Sequence, residues 1–158
     1  MSTVITIQGT VISFPTSGES PNWSQPIVDF ATAVEGALNS IVGPADVPPQ
    51  VFIIDSYNPG TNINIPGLTF STTVVRSALI RYAVYRTTTT ATAYESGILN
   101  IVYNTNSGVW EVSRQYIGDG QLTFSVTNVG QVQFSTAALA GLNHSGKISF
   151  AASALLQS

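Results

Sequence analysis

The sequence predicts a mainly β protein, an antiparallel sandwich or barrel meander with one amphipathic helix near the N-terminus. Three observations lead to this fold class. Apolar residues alternate with threonine, serine and glutamine through the second half of the chain, Asn- and Gly-rich segments separate the alternating runs, and helical spacing is convincing only once. With 158 residues, the chain is long enough for one compact domain with a sizeable core.

Residues 1–50 are predicted to form an N-terminal part that serves docking or oligomerisation. Residues 4–14 have the pattern of an extended segment. A helix then follows, because apolar side chains recur at helical spacing from Ile27 to Ile41. Ser24 or Asn22 can cap its start, and Gly43-Pro44 ends it. Its apolar stripe is expected to pack on the sheet or on a sister subunit.

Residues 51–158 are predicted to form an antiparallel β domain, although the chain could also fold as one continuous domain. A stiff Pro48-Pro49 connector leads into a short strand at residues 51–54. Residues 56–70 are rich in Asn, Pro and Gly and are predicted to be a loop with little regular structure. A meander of five or six strands is expected after Thr72, with runs at residues 74–88, 98–103, 109–116, 122–126, 132–134 and 148–150.

Charge is scarce in this chain. Charged residues make up 8% of the sequence, against roughly 25% in a typical soluble domain. Neutral polar groups must therefore cover the surface, which suits a protein packed into an assembly, where unpaired buried charge is costly. The net charge is −3 and there is no basic run, so a nucleic-acid partner is not expected.

The sequence also indicates in which cellular compartment the protein is expected to occur. There is no cysteine, hence no disulfide framework and no thiolate metal site. The first residues lack the basic and apolar regions of a signal peptide, and no run approaches the roughly 20 apolar residues of a membrane span. The protein is expected to be made in the cytosol, to be used there or released by assembly or lysis, and to have no membrane partner.

Residues that could support catalysis are few. His144 is the single histidine, and it is predicted to pack or hydrogen-bond in a turn before the last strand. Glu95 and Glu111 could form a carboxylate pair, but an ion pair of Glu111 with Arg114 is the expected alternative. Asp119 lies between glycines, where a tight turn is favoured over a calcium site. The chain is therefore predicted not to be an enzyme, and to have no catalytic, metal or cofactor-binding residue.

Three arginines lie on one long predicted strand. Arg76, Arg81 and Arg86 are five residues apart, so neighbours in this series point to opposite faces and form no basic stripe. Arg81 shares its face with Tyr85, and both residue types are common at protein interfaces. A subunit contact and a solvent-facing strand surface are both compatible with this pattern.

Five segments resemble tailed-phage virion structural proteins, of the capsid decoration, cement or fibre type. They are residues 10–24 (TVISFPTSGESPNWS), 75–88 (VRSALIRYAVYRTT), 110–119 (WEVSRQYIGD), 124–134 (FSVTNVGQVQF) and 144–148 (HSGKI). The resemblance implies a virion component, often trimeric, assembled in the host cytoplasm, and it supplies no catalytic residue. The candidate interface residues are Trp23, Arg76, Arg81, Tyr85, Arg86, Trp110 and Arg114.

Four functions remain open from the sequence. The first is a capsid decoration or cement protein, expected to be a homotrimer that binds the major capsid protein and neighbouring copies of itself. The second is a tail, neck or fibre component. The third is a module that stacks a host glycan on Trp23, Trp110 or a tyrosine. The fourth, a small hydrolase, has the least support because few polar groups could assist a reaction.

Overall fold

The computed structural model describes residues 3–7, 10–14, 24–41 and 45–157. The chain separates into two compact units, Met1–Pro44 and Ala45–Ser158. No helix among the described residues is long and apolar enough to cross a membrane.

The first unit contains a β-hairpin and the predicted helix. Strands β1 (Thr3–Ile7) and β2 (Thr10–Phe14) pair antiparallel, and helix α1 (Ser24–Ile41) contacts both of them. The predictions of an extended segment and of a single helix are confirmed. Helix α1 begins at Ser24. Trp23 and the predicted stop at Gly43-Pro44 lie outside the described residues.

The second unit is a sandwich of two antiparallel sheets, which confirms the predicted fold class. Its strands are β3 (Val47–Ile53), β4 (Gly60–Thr69), β5 (Val75–Thr87), β6 (Thr92–Asn104), β7 (Val109–Asp119), β8 (Leu122–Val126), β9 (Gln131–Thr136) and β10 (Ser145–Leu156). A five-stranded sheet has the order β3-β10-β5-β6-β7, and a three-stranded sheet has the order β4-β9-β8.

The core lies between these two sheets because both contribute one apolar face to it. Ile80 of β5, Ile148 of β10 and Phe134 of β9 are completely buried in one cluster. Burial of such side chains contributes about 2 kcal/mol each. The alternation predicted for β5 is confirmed, since every second residue from Ala78 to Val84 is buried.

Two local predictions were wrong. The loop predicted at residues 56–70 contains β4, and the predicted connector at Pro48-Pro49 lies inside β3. The register of β4 against β9 is irregular, and side chains of β9 replace part of the ladder. Gly60 N, for instance, donates to the Thr136 hydroxyl at 2.8 Å. Pairing with β9 thus overrides the local Asn, Pro and Gly signals.

Candidate interaction surface

Strand β5 divides its side chains between the core and the opposite side of the sheet. Leu79, Arg81, Ala83 and Tyr85 are exposed, while the residues between them are buried. We call the side of the five-stranded sheet that is turned away from the three-stranded sheet the outer face. The predicted sharing of one face by Arg81 and Tyr85 is therefore observed.

The centre of the outer face is built from small side chains. Ala83 lies directly between Ser149 of β10 and Ser96 of β6 in the strand register. Larger apolar residues surround this centre and are exposed: Val51, Ile53, Leu79, Tyr85, Tyr94, Val102, Ile117 and Leu155. Val51 is 60% exposed and Ile117 is 85% exposed. Such a wide exposed apolar surface is unusual for a protein that stays alone in solution.

Charged side chains are sparse on the outer face. Alternation along the strands places Arg81, Lys147, Glu111 and Asp119 on it. Two shallow depressions of about 420 and 360 Å³ lie between these groups. Ala83, Ser149 and Ala151 line the larger depression, which exists because these side chains are small.

Two tyrosines form a pair at one end of the outer face. Tyr85 and Tyr94 are directly opposite each other in the β5–β6 register, and Lys147 is opposite Tyr85 on its other side. Tyr94 is 66% exposed. Two exposed rings beside a cation can stack on a planar or sugar-like group and hydrogen-bond to it.

A buried polar cluster lies on the core side of the same sheet. The Glu95 carboxylate is 3% exposed and accepts hydrogen bonds from the Tyr82 hydroxyl at 2.6 Å and from Gly120 N at 3.1 Å. It also forms an ion pair with Arg114. Arg114 donates further to the Tyr82 hydroxyl at 2.9 Å and to Leu122 O at 2.8 Å. The cluster ties β5, β6 and β7 to the start of β8.

Tyr82 is expected to ionise at a higher pH than a free tyrosine. Burial, followed by its hydrogen bond to Glu95, raises the pKa of Tyr82 to about 12. Because the neutral phenol is favoured in the folded state, its contribution to stability is complete below pH 10 and declines between pH 10 and 12. We expect Tyr82→Phe to remove the phase with a pKa of about 12 from an absorbance titration at alkaline pH. Tyr94→Phe is the control and should retain that phase; loss of this phase in the control alone would contradict the assignment.

Arg86 forms the second buried polar cluster. Its side chain is completely buried and its burial lowers the pKa of the guanidinium. It donates to Gly120 O (3.1 Å), Gln121 O (3.2 Å), Asn58 Oδ1 (2.9 Å), Ala137 O (2.8 Å) and His144 Nε2 (3.3 Å). These five bonds use all five N–H groups of the guanidinium, and none of the acceptors is a carboxylate. Arg86 therefore holds together three loops at one end of the sandwich, those between β3 and β4, between β7 and β8, and between β9 and β10.

The residues considered for catalysis have structural partners. His144 Nε2 accepts from Arg86, and its Nδ1 lies 2.9 Å from Asp55 O, so Nδ1 carries the proton and donates. Asp119 Oδ1 accepts from Gln121 N at 2.8 Å within a turn. No group of three or more metal-binding side chains occurs in residues 3–7, 10–14, 24–41 and 45–157.

The predicted ion pair of Glu111 with Arg114 is not formed. Glu111 lies on the outer face and accepts from Asn104 Nδ2 at 2.8 Å, whereas Arg114 points to the core and pairs with Glu95. The physical reason is the two-residue period of a strand, which puts residues 111 and 114 on opposite faces. Glu95 and Glu111 are separated by the sheet for the same reason.

The structure separates the predicted interface residues into three groups. Arg81 and Tyr85 lie on the outer face, and Arg76 is exposed near the start of β5. Arg86, Trp110 and Arg114 point to the interior, where Arg86 and Arg114 form the polar clusters described above. Trp110 packs against Tyr103, with ring centroids 5.3 Å apart. Trp23 lies outside the described residues.

Sequence reasoning missed the contribution of β6 to the outer face. The predicted strand began at Ile98, whereas β6 begins at Thr92 and adds Tyr94 and Ser96. The alternation of small residues with Tyr94 could have revealed it, but Ala93, Glu95 and Gly97 are weak markers of a buried face. Gly97 has a steric role, because a Cβ there would lie 2.7 Å from the Tyr82 hydroxyl.

Comparisons with known proteins include a similarity to a solved structure. No family model matches the sequence, and no curated protein matches it. The chain is similar to part of the crystal structure of the Acinetobacter phage vB_ApiP_P1 tailspike protein, with a TM-score of 0.44 and 14% sequence identity. The similarity covers 68% of this chain and 22% of the tailspike chain, so it spans about a fifth of that protein.

Proposed function

We propose that this chain is a non-catalytic structural component of a bacteriophage particle and attaches to other particle proteins through the outer face of its five-stranded sheet. The observation that carries the proposal is the character of that face. It is wide, exposed and largely apolar, and the row of residues that crosses its centre at Ala83 carries no charge. The bacteriophage setting rests on the sequence resemblance of the five segments named above.

The energetics of burial favour this use of the outer face. An interface that covers a charged side chain must desolvate it, which costs several kcal/mol unless a partner charge is supplied. On the outer face, Val51, Ser149, Ala83, Ser96 and Ile117 form one continuous row across all five strands without a charge. A partner surface can cover this row at little electrostatic cost and gain from the apolar area that it removes from water.

The engagement of polar side chains within the chain supports a non-catalytic role. Both ring nitrogens of His144 have partners, which leaves neither available as a general base. Glu95 is occupied by Tyr82, Arg114 and Gly120 N and lies in the core. A glycosidase needs two carboxylates on one cleft, and Glu95 and Glu111 lie on opposite sides of a sheet.

The number of copies in the particle distinguishes decoration from a tail role. A capsid decoration or cement protein is expected at hundreds of copies per particle, and a tail, neck or fibre component at tens. We expect quantitative mass spectrometry of purified particles to give hundreds of copies per particle, with the major capsid protein as the internal standard. A value in the tens would replace decoration by a tail or fibre role. Absence from washed particles would contradict the proposal.

A host-glycan-binding module is the second candidate function. The pairing of Tyr85 with Tyr94 beside Lys147 favours it, because exposed aromatic rings are the usual platform for a sugar. Trp110 cannot have this role, since its ring is packed in the core. Saturable binding on a glycan array that is lost in Tyr94→Ala would favour this function over attachment.

A further inference from the structure

The five-stranded sheet has two edges that differ in their ability to accept another strand. Strand β3 forms one edge and β7 forms the other. In β3, Pro48 and Pro49 have no N–H to donate, and the β3–β10 register is irregular between Phe150 and Ala152. Prolines and bulges are the features by which natural proteins prevent pairing at a sheet edge. The β3 edge is therefore interrupted, and only residues 50–53 continue in regular register.

The β7 edge has neither feature. Strand β7 contains no proline and pairs with β6 in an unbroken register from Asn104↔Val109 to Tyr94↔Asp119. Within residues 45–157, no strand pairs with its other side. Ile117 and Tyr116 on this strand are exposed by 85% and 54%. A long, regular edge with exposed apolar side chains and unpaired backbone groups is a site for strand addition.

The one charge that β7 directs to the core does not oppose pairing. Arg114 donates to Tyr82, to Glu95 and to Leu122 O within its own chain. Its guanidinium is also stacked 4.0 Å from the centre of the Tyr116 ring. Because Arg114 is already paired with the Glu95 carboxylate and donates to two further acceptors, an added strand would not leave this cation unpaired.

We propose that β7 pairs antiparallel with β7 of a second copy of this chain. Because the regular part of the β3 edge covers only residues 50–53, a head-to-tail β7–β3 contact, which would extend into a fibre, is disfavoured relative to pairing along the whole of β7. Pairing of β7 with itself uses the open edge of both copies and closes on a two-fold axis. It also places the two outer faces on the same side of one continuous sheet. The inference rests on the proposed assembly role and names a partner for it.

The charges of β7 select the register of this pairing. Full overlap would be centred on Arg114 and would place it opposite Arg114 of the second copy. A register centred on Gln115 would place Glu111 opposite Asp119. Like charges directly opposite each other destabilise a sheet. Among the registers that avoid both conflicts, the one centred on Ser113 overlaps over the most residues, and it pairs Val109 with Ile117 of the second copy.

A single cysteine at position 113 tests both the pairing and its register. The chain has no native cysteine, so a cross-link reports only the introduced residue. In the proposed register, the two Cβ atoms at position 113 are neighbours across the two-fold axis, close enough for a disulfide after a small shift. We expect Ser113→Cys to cross-link under mild oxidation on the order of tenfold faster than Ser153→Cys, because pairing raises the effective concentration. Ser153 is exposed on β10, away from the edge.

The association of the unmodified chain is the second readout. Sedimentation of the wild type over a range of micromolar concentrations should show a dimer that Ser113→Lys converts to a monomer with an unchanged circular dichroism spectrum. A wild-type chain that remains monomeric throughout would overturn the inference, as would a trimer with equal cross-linking of Ser113→Cys and Ser153→Cys. Faster cross-linking of Gln115→Cys than of Ser113→Cys would overturn the register. If these tests fail while the chain is still found in particles, the proposed function stands and the edge pairing does not.

Discussion

Arg86→Leu is expected to lower the free energy of unfolding by about 4 kcal/mol, a large part of the total stability of a typical domain. The substitution removes a buried guanidinium and leaves its acceptors, three of them backbone carbonyls, without their donor. Each buried acceptor that loses its partner costs about 1–3 kcal/mol, and partial relaxation of the loops reduces the sum. Chemical denaturation followed by tryptophan fluorescence measures the change.

Arg81→Leu is the matched control for this prediction. It makes the same substitution on the same strand, but Arg81 is exposed on the outer face, so the change in stability should stay within about 0.5 kcal/mol. The loss of stability in Arg86→Lys should lie between those of the two leucine variants, because an ammonium keeps the charge but has only three donors and cannot reach all three loops. Equal stabilities of the two leucine variants would mean that Arg86 does not hold the loops.

Ala83→Lys is expected to abolish attachment to the particle while leaving the fold intact. Ala83 is exposed at the centre of the outer face, with Ser149 and Ser96 as its neighbours across the strands. A lysine there is tolerated by the isolated chain, since its amine can remain in water. Covering it with a partner surface would cost several kcal/mol, which corresponds to a loss of affinity of more than about a hundredfold.

The sequence predicted the fold class and most strands because alternation is a local signal that the sandwich also requires. In β5, the alternation of Ala78, Ile80 and Tyr82 with exposed residues is visible in the sequence, and it also places these three side chains in the core. Strand β4 could not be predicted, because it is specified by partners on β9 far along the chain, such as Thr136 for Gly60 N. The local sequence of a strand does not indicate which distant strand will pair with it.

The candidate surface was predictable only in part. The two-residue period of a strand correctly placed Arg81 and Arg86 on opposite faces of the sheet, but it gave no sign that Arg86 would be completely buried. Burial of that arginine depends on Asn58, Ala137 and other acceptors from distant loops, whose convergence is a property of the fold. Likewise, the difference between the β3 and β7 edges follows from the strand order, which alternation does not determine.

The most direct test of the central claim is co-sedimentation of the purified chain with particles that lack it. The outer face is predicted to be the attachment surface, so the wild type should bind and saturate, and Ala83→Lys should lose binding. Ser125→Lys introduces the same side chain at an exposed position on β8, in the other sheet, and should bind like the wild type. Equal binding of all three proteins would contradict attachment through the outer face. Failure of the wild type to bind at all would contradict a structural role in the particle.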